Sequence, residues 1–459
     1  MCRIDRIFSV LLILPIPLIL QHWPLLFLIR KPRGSSVAPA DHLAQLLPQF
    51  LIRCSSMRIL HTADWHLGAR LIERDRLAEH ATFVDWLIET LRSEKIDSLL
   101  VSGDVFDAAN PPQDAVALYF DFLKRLADLK TVKAVITGGN HDSASHLNAP
   151  RELLRRFEVH VFGHAGDNIV DLGGAVIAAV PYLRERDLRQ AGTGDTLSTV
   201  HEQVRAAIRD HYAAQLAAAR TLAEGRPVIA MGHLTVLGAT TSDSERDIHI
   251  GNLGCVGADT FDGFDYTALG HLHRPQRVAG NETIRYSGSP IPLSFSEAAD
   301  AKSVVIIDTQ NHSPVPILLS KTDPDRQKNG DRRIDVQTLP IPTTRQLIRV
   351  KAARATLAAD LANVPAGAWA EVTVKLDAPE PDLDRQVRDA AAGRFEVLKV
   401  LADLPVSETA PWQSTAPTLH DLQPRDVFRE LLHEKQIEGG ELTAVFDELL
   451  AMNEAKSIK

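Results

Sequence analysis

Five short motifs, each following a short apolar run, constrain this chain more than any other feature of it. They are Asp64-Trp65-His66, Gly103-Asp104-Val105-Phe106-Asp107, Gly139-Asn140-His141-Asp142, Gly232-His233 and Gly270-His271-Leu272-His273. The runs before them, at 58–62, 98–101, 132–137, 228–231 and 266–269, are rich in branched residues and read as buried strands. Between the runs, stretches 75–94, 113–129, 146–156 and 199–223 carry apolar residues three and four apart, the spacing of amphipathic helices. Further strands are expected at 159–162, 176–180, 283–286 and 303–308. Strand–helix alternation predicts the α/β class, here a sandwich of two β-sheets flanked by helices.

Sites in open α/β sheets gather at the carboxyl ends of strands. Five strands would then deliver Asp64, His66, Asp104, Asn140, His233, His271 and His273 to one edge. These are oxygen and nitrogen donors with no thiolate among them, a set suited to manganese, iron or zinc. Seven donors are too many for one such ion. Two ions sharing a bridging carboxylate would use them all, and two ions some ~3.5–4 Å apart clamp the attacking and leaving oxygens of a phosphate ester. Each motif alone is weak: a lone histidine is more often structural, and Gly-Asn-His-Asp alone is a run of turn formers. Their joint occurrence in this order carries the reading.

A chain of 459 residues predicts two or three compact units. Residues 57–320 hold the motifs. Residues 321–344 are polar and proline-bearing and read as a linker, with one more strand expected at 315–319. Residues 345–404 read as a small β-α-β-α-β unit, with strands at 347–351, 368–375 and 395–401 and helices at 357–362 and 383–392. The tail, 405–459, carries two short amphipathic helices separated by Gly439-Gly440. Val427, Phe428, Leu431 and Leu432 share one face; Leu442, Val445, Phe446, Leu449 and Leu450 share the other. Residues 1–56 stand apart. Phe8 to Ile29 is almost wholly apolar and long enough to cross a membrane, but Pro15, Pro17 and Pro24 make it a poor helix. Met57 is the expected start and 1–56 an upstream extension, with a membrane anchor as the competing reading.

The formal net charge is −9, whereas a broad nucleic-acid-binding surface is usually basic. Nucleic-acid binding would need local basic patches, bound cations or a partner subunit. Cys2, Cys54 and Cys255 are too few and scattered for a disulfide framework or a zinc cluster, and read as free thiols in a reducing cytosol.

The motif series resembles the calcineurin-like metallophosphoesterases. From Met57 onward the chain further resembles one branch of them, the nuclease components of bacterial SbcCD-type DNA-end-processing complexes. That resemblance also rests on MRILHTADWHLG, on GDVFD followed three residues later by PP, on Thr241-Ser242-Asp243 through Arg246-Asp247-Ile248, and above all on RYSGSPIPLSF from Arg285 to Phe295, which generic phosphatases lack. It implies two divalent ions, manganese by preference. Asp64, His66, Asp104 and His273 would hold one; Asp104, Asn140, His233 and His271 would hold the other. His141 would stand beside the scissile phosphate to stabilise developing charge or protonate the leaving oxygen. The Asp107 carboxylate would orient that histidine, a loop cap being the competing role. The implied activity is a manganese-dependent 3′–5′ exonuclease on double strands and an endonuclease on single strands and hairpins. It would serve DNA repair, recombination and replication in the cytoplasm, as part of an ATP-dependent complex. The 345–404 unit would cap the site and contact DNA through Arg349, Lys351, Arg354, Arg385, Arg388, Arg394 and Lys399, a solvated face being the competing reading. Arg70, Arg74 and Arg76 lie near the expected site. The C-terminal helices would dock on an SbcC-type ATPase, with intramolecular packing the competing role. The chain would form a homodimer within a heterotetramer through 75–94 and 113–129, with no membrane contact by the core. A phosphatase or small phosphodiesterase of the same superfamily is the alternative activity, and a scaffold with a degenerate metal site a further one.

Overall fold

The computed structural model describes residues 56–188, 197–245, 255–309 and 334–405, together with Phe428, Leu432, Leu442, Thr443, Val445 and Phe446. The apolar run at 8–29, the strand expected at 315–319 and most of the tail lie outside the described residues. Among the described residues, no helix is long and apolar enough to cross a membrane.

Contact density divides the chain into two compact units. One comprises Met1–Arg349, Asn363–Glu371 and Ala391–Lys399; the other comprises Val350–Ala362, Val372–Ala390 and Val400–Lys459. The first unit is built on two six-stranded sheets. After β1 (Met57–Thr62) comes a two-residue hairpin, β2 (Arg70–Leu71) and β3 (Arg74–Asp75). Then follow β4 (Ser98–Ser102), β5 (Lys133–Thr137), β6 (Val159–Phe162), β7 (Ile169–Asp171), β8 (Val176–Ala179) and β9 (Val228–His233). After these come β10 (Tyr266–Gly270), β11 (Gln276–Arg277), β12 (Ile284–Tyr286), β13 (Ser303–Thr309) and β14 (Ile334–Pro340). One sheet runs β14-β13-β1-β4-β5-β6 and the other β11-β12-β10-β9-β8-β7. β1, β4, β5 and β6 are mutually parallel, as are β8, β9, β10 and β12.

The central strands β1, β4, β5, β8, β9 and β10 are buried almost throughout because both faces of each sheet are covered there. Ile59, Leu100, Val135, Ile229, Met231 and Ala268 pack between the sheets. Their chain neighbours Leu60, Leu99, Val101 and Ile136 point the other way, onto Phe83, Leu87, Tyr119 and Phe122 of helices Leu77–Ser93 and Gln113–Asp128. On the second sheet, Ala230 and Leu269 pack against Val204, Ile208 and Tyr212 of helix Leu197–Ala223. The period-two alternation thus sets an α-β-β-α layering in which β1, β4 and β5 of one sheet and β9 and β10 of the other carry the motifs at their carboxyl ends.

Two expectations need correction. The helix expected at 146–156 is broken: Ala144–Asn148 and Arg151–Leu154 are separate, and a 3-10 turn, Arg155–Phe157, follows. Pro150 is the cause, since it lacks an N–H for the helix and disfavours helical backbone before it. The stretch read as a linker holds β14, which pairs along its whole length with β13. It is half-exposed with alternating burial, and its few apolar residues hid it.

Strands β15 (Leu347–Ala353), β16 (Trp369–Lys375) and β17 (Glu396–Asp403) form a third sheet in that order, and its residues are shared between the two units. Helices Leu357–Ala362 and Leu383–Ala391 lie in the two connections, the β-α-β-α-β order expected from sequence. In the tail, Phe428 and Phe446, one from each apolar face, stack with ring centroids 4.0 Å apart.

Candidate metal centre

The first, second and fifth motifs leave their strands by sharp turns, and the backbone there is strained. Asp64, His66, Asp104 and His271 have φ of 54°, 48°, 48° and 98°, a left-handed region that side-chain-bearing residues seldom adopt. Hydrogen bonds from Asp64 N to Gly103 O and from His66 N to Asp104 O lash the first two turns together. Glycine permits the closeness. A Cβ on Gly139 would stand 2.1 Å from Asp104 Oδ1, and one on Gly270 would stand 1.8 Å from Ser102 O.

The expected donors converge on Asp104, which is buried. On one side, Asp104 Oδ2 is 3.5 Å from His66 Nε2, which is itself 3.1 Å from His273 Nε2. On the other, Asp104 Oδ2 is 3.2 Å from His233 Nε2, and His233 Nε2 is 2.8 Å from Asn140 Oδ1. His66, Asp104 and His141 offer donor atoms within 4.8 Å of one another, and so do Asp104, His233 and His271. Asp64 closes the group: its Oδ1 accepts from His271 N at 2.8 Å and lies 3.8 Å from His233 Nδ1.

Three features of this cluster fit divalent cations. Asp64 Oδ2 is a fully buried carboxylate oxygen with no hydrogen-bond partner among the described residues, an arrangement that is costly unless a cation faces it. His233 Nδ1 donates to Ser102 O at 3.0 Å, which leaves the lone pair on Nε2 beside two oxygen acceptors. His66 Nδ1 donates to Asp107 Oδ1 at 3.1 Å, which likewise leaves Nε2 as a donor to metal. The field of the cluster agrees. Burial pushes Asp64 up to about 7, helped by the Asp104 charge. Burial also opposes a charge on His233, yet the Asp104 and Asp64 carboxylates overcome it and raise that imidazole to about 9. A buried site that draws in positive charge so strongly is one where a cation replaces protons.

His141 lies in the same cluster. Its backbone N donates to Asp104 Oδ1 at 2.9 Å and its Nδ1 donates to the main-chain carbonyl of Asp107 at 2.7 Å. Asp107 therefore touches two imidazoles by different atoms: its carbonyl holds His141, and its Oδ1 holds His66. Sequence reasoning expected only a carboxylate acting on His141.

Several residues that sequence reasoning assigned no role hold this arrangement. Asp142 accepts from Val105 N, Phe106 N and Gly139 N, which ties the second motif to the third. Burial, with Asp104 nearby, pushes its carboxyl up to about 6. Its place inside Gly-Asn-His-Asp was the available signal. Ser289 N and Lys302 Nζ both donate to His273 O, and Glu297 pairs with Lys302. Burial opposes the Glu297 charge, but His273 and Lys302 hold that carboxyl well below its usual range. The RYSGSPIPLSF stretch is thus the bed on which the last motif lies. Arg76 is no surface residue: it is buried, its Nε and Nη2 pair with Glu79 at 2.7 and 2.6 Å, and its Nη1 donates to Pro292 O of that same stretch. Of the seven basic residues of 345–404 singled out from the sequence, five have carboxylate partners within that stretch. Arg349 and Lys399 pair with Glu371, Arg354 with Glu380, Arg385 with Asp382 and Arg388 with Asp384.

The sequence pattern of a family described as calcineurin-like phosphoesterase matches residues 57–275, and that of a type 5 capsule protein repressor C-terminal domain matches residues 343–436. The D subunit of the SbcCD nuclease from Escherichia coli (strain K12) is 34% identical to this chain over 391 residues, covering 82% of this chain and 92% of that protein. The proteins of the same name from Rhodobacter capsulatus and Bacillus subtilis are similar over shorter spans. The first is 40% identical over 283 residues, 57% of this chain and 69% of that protein. The second is 38% identical over 267 residues, 55% of this chain and 66% of that protein.

Proposed function

Because the chain belongs to the SbcD family of SbcCD nuclease components, within the calcineurin-like phosphoesterases, we propose that it is a manganese-dependent DNA nuclease that acts beside an SbcC-type ATPase. The observation that carries this reading is the convergence of two donor sets on Asp104, with a buried, unpartnered oxygen of Asp64 among them. In this reading Asp64, His66, Asp104 and His273 hold one ion and Asp104, Asn140, His233 and His271 the other. The two cations, when bound, supply Lewis acidity toward a phosphodiester. The protein's own part is positioning. The turns at Asp64 and Asp104 are fixed by main-chain bonds and by Asp142, so the donors do not wait on rearrangement. His141 is held through Nδ1, so proton transfer to a leaving 3′ oxygen takes place at Nε2.

The substrates of this reading are double-stranded ends, for 3′–5′ exonuclease action, and single strands or hairpins, for endonuclease action in repair, recombination and replication. Unit 345–404 serves as the DNA-contacting cap and 405–459 as the ATPase-binding tail of a dimer within a heterotetramer. A cytoplasmic setting rests on the sparse, scattered cysteines. Because most basic residues of 345–404 are already paired with carboxylates, the cap offers local contacts rather than a broad basic face, and the metal centre and the partner supply the remaining phosphate contacts. The test is cleavage of a linear duplex, a DNA hairpin and a chromogenic phosphomonoester with manganese, with and without co-purified ATPase. Hairpin and duplex cleavage that the ATPase extends is the expected result. Hydrolysis of the monoester alone would favour a phosphatase instead.

A further inference from the structure

His273 is an expected metal donor whose ring is held by side chains from another segment. Its Nδ1 lies 2.6 Å from Ser244 Oγ. Ser244 Oγ in turn makes a very short contact to Glu297 Oε1. Glu297 is fully buried, and its carboxylate gathers three segments. Ser242 Oγ at 3.3 Å and Ser294 Oγ at 3.2 Å reach Oε1; Lys302 Nζ at 2.5 Å, Ser289 Oγ at 3.2 Å and Leu293 N at 3.2 Å reach Oε2. Lys302 Nζ also donates to His273 O at 2.9 Å, so the chain of contacts closes into a ring that begins and ends on His273. Glu245, beside Ser244, accepts from His273 N at 2.8 Å.

Donor and acceptor logic gives this ring a direction. A carboxylate gripped by an ammonium has no proton to give and only accepts. The hydroxyl hydrogen of Ser244 therefore goes to Glu297, its shortest partner. Ser242 Oγ, 2.8 Å from Ser244 Oγ, is left to donate toward it. The Ser244 oxygen then accepts from His273, which places the imidazole proton on Nδ1. The lone pair falls on Nε2, 3.1 Å from the Nε2 of His66, whose own proton is committed to Asp107. Two imidazole lone pairs at that distance repel unless a cation lies against both. We propose that Glu297, acting through Ser244, is a positioning residue that fixes the tautomer of His273 and so turns its Nε2 into a metal donor. This rests on the two-ion reading above and adds the loop at Ser242–Glu245 to the metal centre.

The test is calorimetric titration of the purified full chain with manganese alone, alongside thermal unfolding. Ser244→Ala removes the relay but leaves the Glu297–Lys302 pair in place, so it separates positioning from mere structural support. Ser244→Ala and Glu297→Gln are each expected to weaken one and the same of two binding events by ~10- to 100-fold, the usual loss when a metal ligand's hydrogen-bond partner is removed. The other event stays near wild type, Ser244→Ala keeps the wild-type unfolding midpoint, and Ser244→Thr restores binding. Both events unchanged in folded Ser244→Ala would overturn the proposal. A wild-type chain that binds fewer than two ions would overturn the two-ion reading itself, before any substitution is made.

Discussion

The two donor sets that meet at Asp104 are built by different means. Asn140, His233 and His271 stand on tightly packed turns: His233 leans on Ser102 O, the Asp64 carboxylate accepts from the main-chain N of His271, and Gly139 and Gly270 let neighbouring turns close to contact distance. His66 and His273 are backed by side chains: Asp107 behind one, and Ser244, Glu297 and Lys302 behind the other. The first construction is rigid because its turns are packed with no room for an added methyl. The second can be altered one side chain at a time. The same metal chemistry is therefore expected to fail abruptly on one side and by degrees on the other.

Substitutions break or sharpen that contrast. The largest effect belongs to Gly270→Ala, whose new methyl overlaps a carbonyl that cannot move without its sheet. It should cost ~3 kcal/mol or more of stability in denaturant unfolding, and a near-neutral result would show that this side is not backbone-locked. Next is Asp104→Ala, which removes the residue shared by both sets. Metal analysis should show both ions lost, whereas retention of one would mean that the sets do not share it. His141→Ala follows. DNA cleavage should fall by ~10²- to 10⁴-fold, the range for loss of a general acid or base, with both ions still bound; unchanged cleavage would remove His141 from the chemistry. The smallest effect is expected of Asp107→Ala, which takes the carboxylate from behind His66. Affinity for one ion should drop by ~10-fold while the other is kept, and an equal loss at both would erase the distinction between the two sides.

The same contrast explains what was legible in the sequence. The strands were visible because both faces of β1, β4, β5, β9 and β10 are covered, which forces continuous apolar runs. The donors on tightly packed turns were visible because such packing writes a glycine beside the donor: Gly103-Asp104, Gly139-Asn140, Gly232-His233, Gly270-His271. The side-chain backing was not. Glu297 and Lys302 lie in ordinary-looking sequence and gain meaning only when β13 and the loop at Ser244 are brought to His273. The role of Arg76 was hidden for the same reason: its partners Glu79 and Pro292 O are brought to it only by the fold. β14 was missed because an edge strand buries one face only, and the break at Pro150 was overridden by helical spacing on either side.

The most direct measurement is anomalous diffraction from crystals of the full chain soaked in manganese. Two peaks, both against Asp104, one beside His66 and His273 and the other beside Asn140, His233 and His271, are expected. A single peak, or two that lie apart from Asp104, would contradict the claim that seven distant side chains converge to hold a pair of ions.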